Sequence, residues 1–589
     1  MLKRALAATG LIFSAGTLIL GATILGATGM PAAAENACPG DNGGLKLSPG
    51  WCATIFADRL GHARQMVVAP NGVLYVNTWS GTYYDNDRPP RGGFLIALKD
   101  SKGTGHADIV RRFGDGVAQG SAGGTGIYYF GSGLYAEEND KIIRYALPKG
   151  AIIPKDKYQV VLSGMPLTGD HPMHPFIIDK SGNMFVDMGS ATNSCQDENR
   201  IQNSPGRKPC KELETRGGIW LYSADKVGQT FSPAARYATG LRNGEGFGFD
   251  ADGRLFATQH GRDQLGQNWP KLYTPKQSAE LPAEEIVELT KGADFGWPEC
   301  YYDGLQKKLV LAPEYGGDGG KTQGVCAEKK DPVAFFPAHW APNDMLIDNE
   351  AALPAAYRGG AFVAFHGSWN RAPLPQGGYN VVYQPLKDGK AAGDFVIFAD
   401  GFAGRYLEPG RAAFRPTGLA GAPDGSIYIS DDIHGRIWRL TYHGAPNAPA
   451  ASAPGSAATI AEANNPLPPE GIHPDAGRAD TAGLALAPGA TRDQLALGDR
   501  IFHGEVDYGT CAGCHGSDAK GSSQGPNLTT PKKLWSDGSL AGLETTITNG
   551  VPKPRNYPGV MPPKGGAPLT QADVVAVAAY VWALSHQKD

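Results

Sequence analysis

Short stretches of alternating apolar and polar residues follow glycine-containing turns through most of the chain. Four segments share this form: "APNGVLYV" (69–76), "DKSGNMFV" (179–186), "DADGRLFA" (250–257) and "APDGSIYI" (422–429). Two weaker copies, "GSGLYAEENDKIIRY" (131–145) and "YRGGAFVAFHGSWN" (357–370), bring the count to six. Alternation predicts half-buried strands, and recurrence every ~50 to 70 residues is typical of a propeller with four-stranded blades. We therefore predict an all-β six-bladed β-propeller. A β-sandwich, the alternative, explains the repetition less well. The long interval between Gly253 and Gly360 is expected to hold a blade extension or a large insertion.

A helical period replaces this alternation near the end of the chain. Residues 491–504 and 570–587 carry apolar residues at helical spacing, and Thr570 is a suitable N-cap for the second segment. The segment before them is rich in proline, alanine and small polar residues, which build no packed core. The predicted organisation is a propeller at 35–443, a linker at 444–480 and a small all-α domain at 481–589.

The first residues have the form of an export signal. Lys3 and Arg4 precede an apolar stretch that ends near Leu25, and residues 32–34 fit a small-residue cleavage site. We predict a signal peptide over 1–34, with an uncleaved anchor as the less favoured alternative. A periplasmic or secreted location follows, and peripheral association with a membrane is compatible with it.

Composition narrows the choice of partners. The chain is 41% hydrophobic and 19% charged with a net charge of -4, as in a soluble globular protein with a sizeable core. No basic domain or lysine-rich run is present in the sequence, so nucleic acid is not an expected partner.

Six of the eight cysteines fall into sequence-local pairs. In an exported chain an even number of cysteines indicates disulfides. Local pairing is the simplest of the fifteen connectivities that six cysteines allow. The pairs would be Cys38 with Cys52, Cys195 with Cys210, and Cys300 with Cys326.

The other two cysteines belong to the motif "CAGCH" at 511–515, the attachment pattern for a c-type haem. Cys511 and Cys514 would form thioethers to the haem, and His515 would be the proximal iron ligand. Met561, in a proline- and glycine-rich loop, is the candidate sixth ligand, with His503 and His586 as weaker alternatives. With flanking helices on both sides, this region resembles a small class I cytochrome c.

No Gly-x-Gly-x-x-Gly fingerprint follows a strand at the start, which disfavours NAD and FAD. The stretches "GDHPMHPFIIDKSGNMFV", "GLRNGEGFGFDADGRLFATQHGRD", "PAEEIVELTKGADFGWPE", "FHGSWNR" and "RPTGLAGAPDGSIYISDD" are instead similar to the soluble glucose/L-sorbosone dehydrogenase family. That family consists of six-bladed propellers that bind pyrroloquinoline quinone (PQQ) and calcium. The resemblance covers about 45–442, and "HGSWNR" with the cytochrome tail is closer to the sorbosone branch.

The resemblance assigns the reacting groups. His171 matches the family's catalytic base, since an imidazole accepts a hydroxyl proton near neutral pH. Arg242 and Asn243 match the pair beside the quinone carbonyls, where a guanidinium stabilises developing negative charge. The family's carboxylate that orients the base has no counterpart near Gly189, and Asp170 and Asp187 are its two candidate substitutes.

The three carboxylates of PQQ need cationic neighbours. Arg415 matches a family arginine, whereas a second one is replaced by Ala413. The family's lysine has no evident counterpart. Residues that would compensate for it, or line the pocket elsewhere, are Arg64, His339, Trp340, His366 and Arg371.

The calcium expectation rests on resemblance alone. Calcium takes oxygen ligands, and in the family backbone carbonyls hold the ion against the cofactor. Gly261 and Arg262 match that position, and Glu284 and Glu285 lie where the family has acids.

These expectations define an exported enzyme that oxidises an aldose or sugar aldehyde. It would use PQQ, one covalent haem c and Ca²⁺, and it would pass electrons to a further cytochrome or a membrane quinone. The alternatives are a calcium-dependent propeller lactonase, which leaves the haem without a purpose, and a non-catalytic electron-transfer protein.

Overall fold

A computed structural model describes residue 38 and residues 40–587, except 80–90, 115–123, 156, 349–351, 405, 409–410, 455–477, 510, 522–524, 552–553 and 555–560. The predicted signal peptide therefore lies outside the described residues, as does most of the predicted linker. Among the residues that are described, no helix combines the length and apolar character needed to cross a membrane.

Six antiparallel sheets form the propeller, and the sequence prediction of six blades is confirmed. The strands of blades 1 to 3 are His62–Val68, Leu74–Trp79, Leu95–Lys99 and Ile109–Phe113; Ile127–Phe130, Gly133–Glu138, Lys141–Ala146 and Gln159–Ser163; and Phe176–Ile178, Asn183–Met188, Gly218–Ser223 and Arg236–Thr239. Those of blades 4 to 6 are Phe247–Phe249, Leu255–Gln259, Glu284–Leu289 and Ala334–Phe336; Pro342–Ile347, Ala361–Phe365, Asn380–Gln384 and Val396–Asp400; and Pro416–Gly421, Ile427–Asp431, Ile437–Tyr442 and Trp51–Ala57. Each repeat found in the sequence is the turn between the first and second strands of one blade.

Two further short strands extend blades 2 and 5 at their edges. They are Gln229–Thr230 and Lys46–Leu47. The insertion expected in blade 4 carries the short helices Leu265–Asn268 and Pro275–Glu280 and the hairpin Cys300–Asp303 with Lys308–Leu311.

The first strand of each blade lines the central axis. Each packs against the first strand of the next blade, and the ring closes where Pro416–Gly421 meets His62–Val68. A separate apolar core fills each gap between neighbouring blades; the one between blades 5 and 6, for example, is built around Phe398 and Trp438. The loops at the ends of these inner strands therefore converge around the axis.

The chain closes the ring with its own early segment. Trp51–Ala57 pairs antiparallel with Ile437–Tyr442 and forms the outer strand of blade 6. The Cys38–Cys52 disulfide anchors the segment before that strand. Cys195–Cys210 and Cys300–Cys326 are also bonded, so all three predicted local pairs are confirmed.

Replacing Cys38 and Cys52 by serines is expected to lower the stability of the propeller by about 3 kcal/mol, because the bond restricts the unfolded chain by closing a loop with a sequence separation of 14. The midpoint of thermal unfolding measures the loss. The matched control is removal of Cys195–Cys210, which closes a loop of nearly equal length. An unchanged midpoint in the first variant would show that the bond does not hold the closing strand.

The C-terminal domain is helical, as predicted. Its helices are Arg492–Phe502, Cys511–His515, Leu540–Asn549 and Gln571–Leu584. Thr570 caps the last one through a capping box with Asp573, which confirms the predicted N-cap. The first and last helices pack together around one apolar core that includes Phe502 and Tyr580.

Candidate functional site

A continuous chain of buried ionic groups runs around the axis at one end of the propeller. His366 Nε2 lies 2.7 Å from Asp432 Oδ1, and Arg64 Nη1 donates to Asp432 Oδ2 at 2.8 Å. Arg64 Nη2 then donates to Glu245 Oε2 at 2.9 Å, and Asn243 Nδ2 donates to Glu245 Oε1 at 3.0 Å. These groups come from blades 1, 5 and 6 and from the loop that enters blade 4, so the fold assembles them from distant parts of the sequence.

Asp263 is the centre of the next part of the network. Arg242 Nη2 donates to Asp263 Oδ2 at 3.0 Å, Arg200 Nη2 lies 3.2 Å from the same oxygen, and Asn370 Nδ2 donates to Oδ1 at 3.0 Å. Burial alone would raise the pKa of Asp263, but the guanidinium groups of Arg242 and Arg200 lower it well below its usual range. Asp263 is therefore an anion that fixes two cations.

His171 lies beside Arg242 in the same end of the propeller. Its Nδ1 lies 2.9 Å from the carbonyl oxygen of Ser190 and 3.0 Å from Ser190 Oγ, and the Ser190 amide donates to the Arg242 carbonyl at 2.7 Å. Burial, and then the charge of Arg242, hold the pKa of His171 well below that of an ordinary imidazole. With Nδ1–H donated to Ser190, Nε2 carries the lone pair, and the structure gives that nitrogen no hydrogen bond within the described part of the chain.

Neither acid considered as the partner of His171 bonds to it. Asp170 pairs with Arg200 at 2.9 Å. Asp187 is buried on strand Asn183–Met188, where desolvation raises the pKa of its carboxyl well above the usual range. Ser190 orients the imidazole instead, at the place in the sequence where the family's acid was missing.

Four of the predicted cofactor contacts lie on or next to the network. Arg64, Asn243 and His366 are members of it, and burial followed by the charge of Arg415 lowers the pKa of His366 to about 4. Arg415 joins from blade 6, with Nε and Nη2 donating to the carbonyls of His366 and Gly367 at 2.8 and 2.9 Å.

Of the other three predicted contacts, one lies beside Asp263 and two lie in neighbouring packed regions. His339 Nδ1 is 3.9 Å from Asp263, while its Nε2 bonds the Ser278 carbonyl. Trp340 is buried in the apolar core between blades 4 and 5, edge-on to Phe365. Arg371 is buried too, and its guanidinium donates to backbone carbonyls, including that of Ala338 at 2.9 Å.

The residues predicted to hold calcium bond to one another and to cations. The Gly261 carbonyl accepts from Arg242 Nη1 at 3.0 Å, and its amide donates to Glu284 Oε2 at 2.8 Å. Arg262 turns away to pair with Glu314 at 2.5 Å. Burial raises the pKa of Glu284 to about 8. The Gly261 carbonyl and the Glu284 carboxyl are therefore already bonded within the chain, and their role as calcium ligands stays a prediction.

The haem-attachment helix has the chemistry that a c-type haem requires. Cys511 and Cys514 lie outside the three disulfides, one helical turn apart and half-buried. His515 Nδ1 lies 2.9 Å from the Pro526 carbonyl, a hydrogen bond that leaves Nε2 for iron, as in most metal-ligating histidines. A side chain at Gly525 would crowd this ring, at 3.2 Å from Cε1. These residues fit a covalent haem.

The candidates for the sixth iron ligand differ in what already engages them. Met561 packs against the same core as Cys511. In contrast, both ring nitrogens of His503 bond carbonyl oxygens, those of Asp499 and Ser517, at 2.8 Å. His586 stacks on Trp582 with ring centres 3.8 Å apart. The contacts favour Met561, whose ligand role stays a prediction.

Fold and site together define a β-propeller with a buried cluster of charged side chains at one end of its axis, joined to a domain with a haem-attachment motif. The chain belongs to the TrAA12-like family, whose model matches residues 45–443. The cytochrome c family model matches residues 495–585. Both resemblances read from the sequence, to a PQQ-dependent sugar dehydrogenase propeller and to a cytochrome c, are thereby confirmed.

Curated relatives fall on the same two parts of the chain. A pyrroloquinoline quinone-dependent pyranose dehydrogenase from Coprinopsis cinerea is 28% identical over 264 residues, which are 38% of this chain and 34% of the relative. The chain thus spans about a third of that relative's length. A cbb3-type cytochrome c oxidase subunit CcoP from Rubrivivax gelatinosus is 41% identical over 91 residues, 15% of this chain and 26% of the relative.

Solved structures share the propeller fold. The calcium structure of a Trichoderma reesei family AA12 enzyme has a TM-score of 0.54 at 18% identity, covering 68% of this chain and 97% of that one. The holo form of the Coprinopsis cinerea pyranose dehydrogenase PQQ domain has a TM-score of 0.51 at 20% identity, covering 67% and 97%.

Proposed function

We propose that this protein is a PQQ-dependent dehydrogenase that oxidises an aldose or sugar aldehyde and delivers the electrons to its own haem c. The observation that carries the proposal is the pair of His171, with its available Nε2, and the fixed cation of Arg242 at one end of the axis of a TrAA12-like propeller. A cytochrome domain in the same chain supplies an electron acceptor.

The cationic side chains around the axis fit an anionic cofactor. Arg242, Arg64 and Arg415 bring three guanidinium groups to one end of the axis, and these are the groups that recognise carboxylates. Arg200 is the most exposed cation beside Asp263. We propose that these arginines and Asn243 hold PQQ.

When bound, PQQ supplies the two-electron acceptor for a hydride, and haem c passes electrons on one at a time. The sugar loses a hydride from carbon and a proton from its hydroxyl, two electrons in all. His171 Nε2 accepts the proton, and Ser190 keeps the ring in the tautomer that permits this. Arg242 holds positive charge where negative charge develops, and Asp263 keeps that guanidinium in place.

Anaerobic titration tests the proposal. Protein carrying haem and loaded with PQQ is mixed with each member of a panel of aldoses and sugar aldehydes, and the α-band of reduced haem is followed. At least one substrate should reduce the haem, and protein without PQQ should not respond. If neither the haem nor an added dye is reduced by any sugar, the proposal fails.

Replacing Met561 by alanine is expected to lower the haem reduction potential, because a methionine ligand raises it. The fall should be a sizeable part of the roughly 0.8 V that axial ligands span. Spectroelectrochemical titration measures it. Met345→Leu in blade 5 is the control and should leave the potential unchanged. An unaltered potential in Met561→Ala would assign the sixth ligand elsewhere.

We also propose that the protein works outside the cytoplasm and hands electrons to a cytochrome or a membrane quinone. Three disulfides support an oxidising compartment. A role for calcium stays a prediction from the resemblance, and the Gly261 carbonyl that it would use also accepts a hydrogen bond from Arg242.

A further inference from the structure

We infer that the haem domain binds the propeller through one defined surface, and that electrons leave the pocket across this surface. The inference rests on the proposed function for its electron route, although the docking itself does not depend on any substrate. We call this the docking surface: Gly266, Tyr273, Trp369, Glu408 and Arg411 of the propeller with Gly504, Tyr508, Gly513, Ser517 and Asp518 of the haem domain.

Connected polar contacts join the two domains on one side of the docking surface. Arg411 Nη1 lies 3.1 Å from Asp518 Oδ1, and Ser517 Oγ donates to Glu408 Oε1 at 2.7 Å. Within the propeller, Arg411 and Glu408 are 3.5 Å apart, and the Arg411 guanidinium lies 3.7 Å from the centre of the Tyr406 ring. Asp518 is only 9% exposed, so this ion pair is largely removed from water and screened less than a surface pair.

Tyr508 forms the second anchor. Its ring lies directly over Gly266, where a side chain would overlap it. Its hydroxyl donates to the carbonyl of Pro270 at 3.1 Å and to that of Tyr273. Tyr508 has φ of 59°, in the left-handed region that non-glycine residues rarely adopt. The hydrogen bonds of Tyr508 to the propeller therefore offset the free-energy cost of its left-handed backbone conformation.

Glycines bring the backbones of the two domains close together at the haem-attachment helix. A side chain on Gly513, the glycine of "CAGCH", would lie 2.8 Å from the Trp369 carbonyl oxygen. A side chain on Gly504 would overlap Ala372, and one on Gly566 would lie 3.2 Å from Gln264 Nε2. The attachment helix thus lies directly on the propeller.

The propeller loops under that helix also carry the candidate site. Trp369 precedes Asn370, whose side chain donates to Asp263, and Gln264 follows Asp263. Asp263 in turn binds Arg242. Cys511 and Cys514 would attach the haem to this helix. The docking surface therefore separates the attachment point from the Arg242–Asp263 pair only by the propeller loop that carries Trp369 and Asn370. Electrons would then pass within one molecule, without the haem domain first having to diffuse to the propeller and bind it.

Charge reversal in the intact holoprotein tests the docking surface. Asp518→Arg is expected to separate the domains, which would raise the radius of gyration measured by small-angle X-ray scattering. Haem reduction by sugar, followed in a stopped-flow instrument, should slow by about tenfold, the effect of about 1.4 kcal/mol lost from docking. Sugar oxidation coupled to a small diffusible dye should keep its wild-type rate, because Asp518 is outside the pocket.

Two further variants ensure that the result does not depend on one variant that has simply misfolded. Asp518→Arg combined with Arg411→Asp restores an ion pair and should recover compactness and haem reduction. Tyr508→Ala should reproduce the separation by removing the other anchor. Arg439→Glu, which breaks a rim ion pair of blade 6 with Asp424, is the matched control and should behave as wild type.

Each outcome decides a separate point. Unchanged scattering in both Asp518→Arg and Tyr508→Ala overturns the docking. Separated domains with haem reduction at the wild-type rate overturn the electron route. If the wild-type protein reduces neither dye nor haem, the proposed function fails, while the scattering comparison still decides the docking.

Discussion

The His171→Ala variant is expected to oxidise sugar about 10²–10⁴ times more slowly than the wild-type protein, which is the range that a positioned general base contributes. The imidazole is the group in the pocket whose Nε2 is available and whose other nitrogen is fixed by Ser190. Dye-coupled turnover at saturating sugar measures the effect without involving the haem.

His174→Asn is the matched control, because His174 lies on the same loop. One of its ring nitrogens faces Glu137 and the other bonds the Pro166 carbonyl, so neither serves as a base. Its rate should stay within a few-fold of wild type. Full activity in His171→Ala, with His174→Asn inactive, would transfer the role of base to His174.

With His171 as the base, the rate of sugar oxidation should depend on pH in an unusual way. A free imidazole is protonated below about pH 6.5 and then cannot accept a proton. The pKa of His171 lies well below that value because the ring is desolvated and Arg242 is close. The rate should therefore stay flat as the pH falls through 6.5 and decline only at more acidic pH. A decline centred near 6.5 would contradict this.

Arg242→Gln is expected to lower the rate of sugar oxidation by about 10²–10³, as when one preorganised electrostatic donor is removed. The loss has two sources: a cation beside the reacting atoms disappears, and Asp263 loses a partner in the protein interior. The charge of Arg242 also lowers the pKa of His171, so the acid limb of the pH–rate profile should move to higher pH.

A surface arginine serves as the control for Arg242→Gln. Arg207→Gln removes an equal charge from an exposed site that contacts the Asp197 backbone, and it should leave rate and profile unchanged. A slower Arg242→Gln enzyme with an unshifted acid limb would show that the base is not next to Arg242.

The sequence repeat predicted the blades well because each turn is formed by residues that are neighbours in the sequence. Asp250 in "DADGRLFA", for instance, accepts hydrogen bonds from the backbone amides of Asp252 and Arg254 within the same turn. The closing strand Trp51–Ala57 could not be assigned in this way, since its partner lies at the other end of the propeller. Nor could the packing of the haem domain, where close approach depends on glycines that look like ordinary turn residues.

The candidate site was predictable only in part. His171 and Arg242 lie in sequence stretches that resemble the family. Glu245 and Asp432 belong to the site only because Arg64, from blade 1, donates hydrogen bonds to both of them. Asp263 follows Arg262 in "HGRD", and nothing in that motif indicates that the acid, and not its neighbour, bonds to Arg242. Ser190 is not predictable as the partner of His171 because a serine is a weak sequence signal for that role.

Closure of blade 6 by the early strand also sets the order in which the molecule can form. Trp51–Ala57 is made before any complete blade, and it has no partner until Ile437–Tyr442 has been synthesised. An unpaired strand edge of this kind is open to association with other chains until the ring closes. The haem domain is made later still, and the propeller loops that receive it are in place only after the ring has closed.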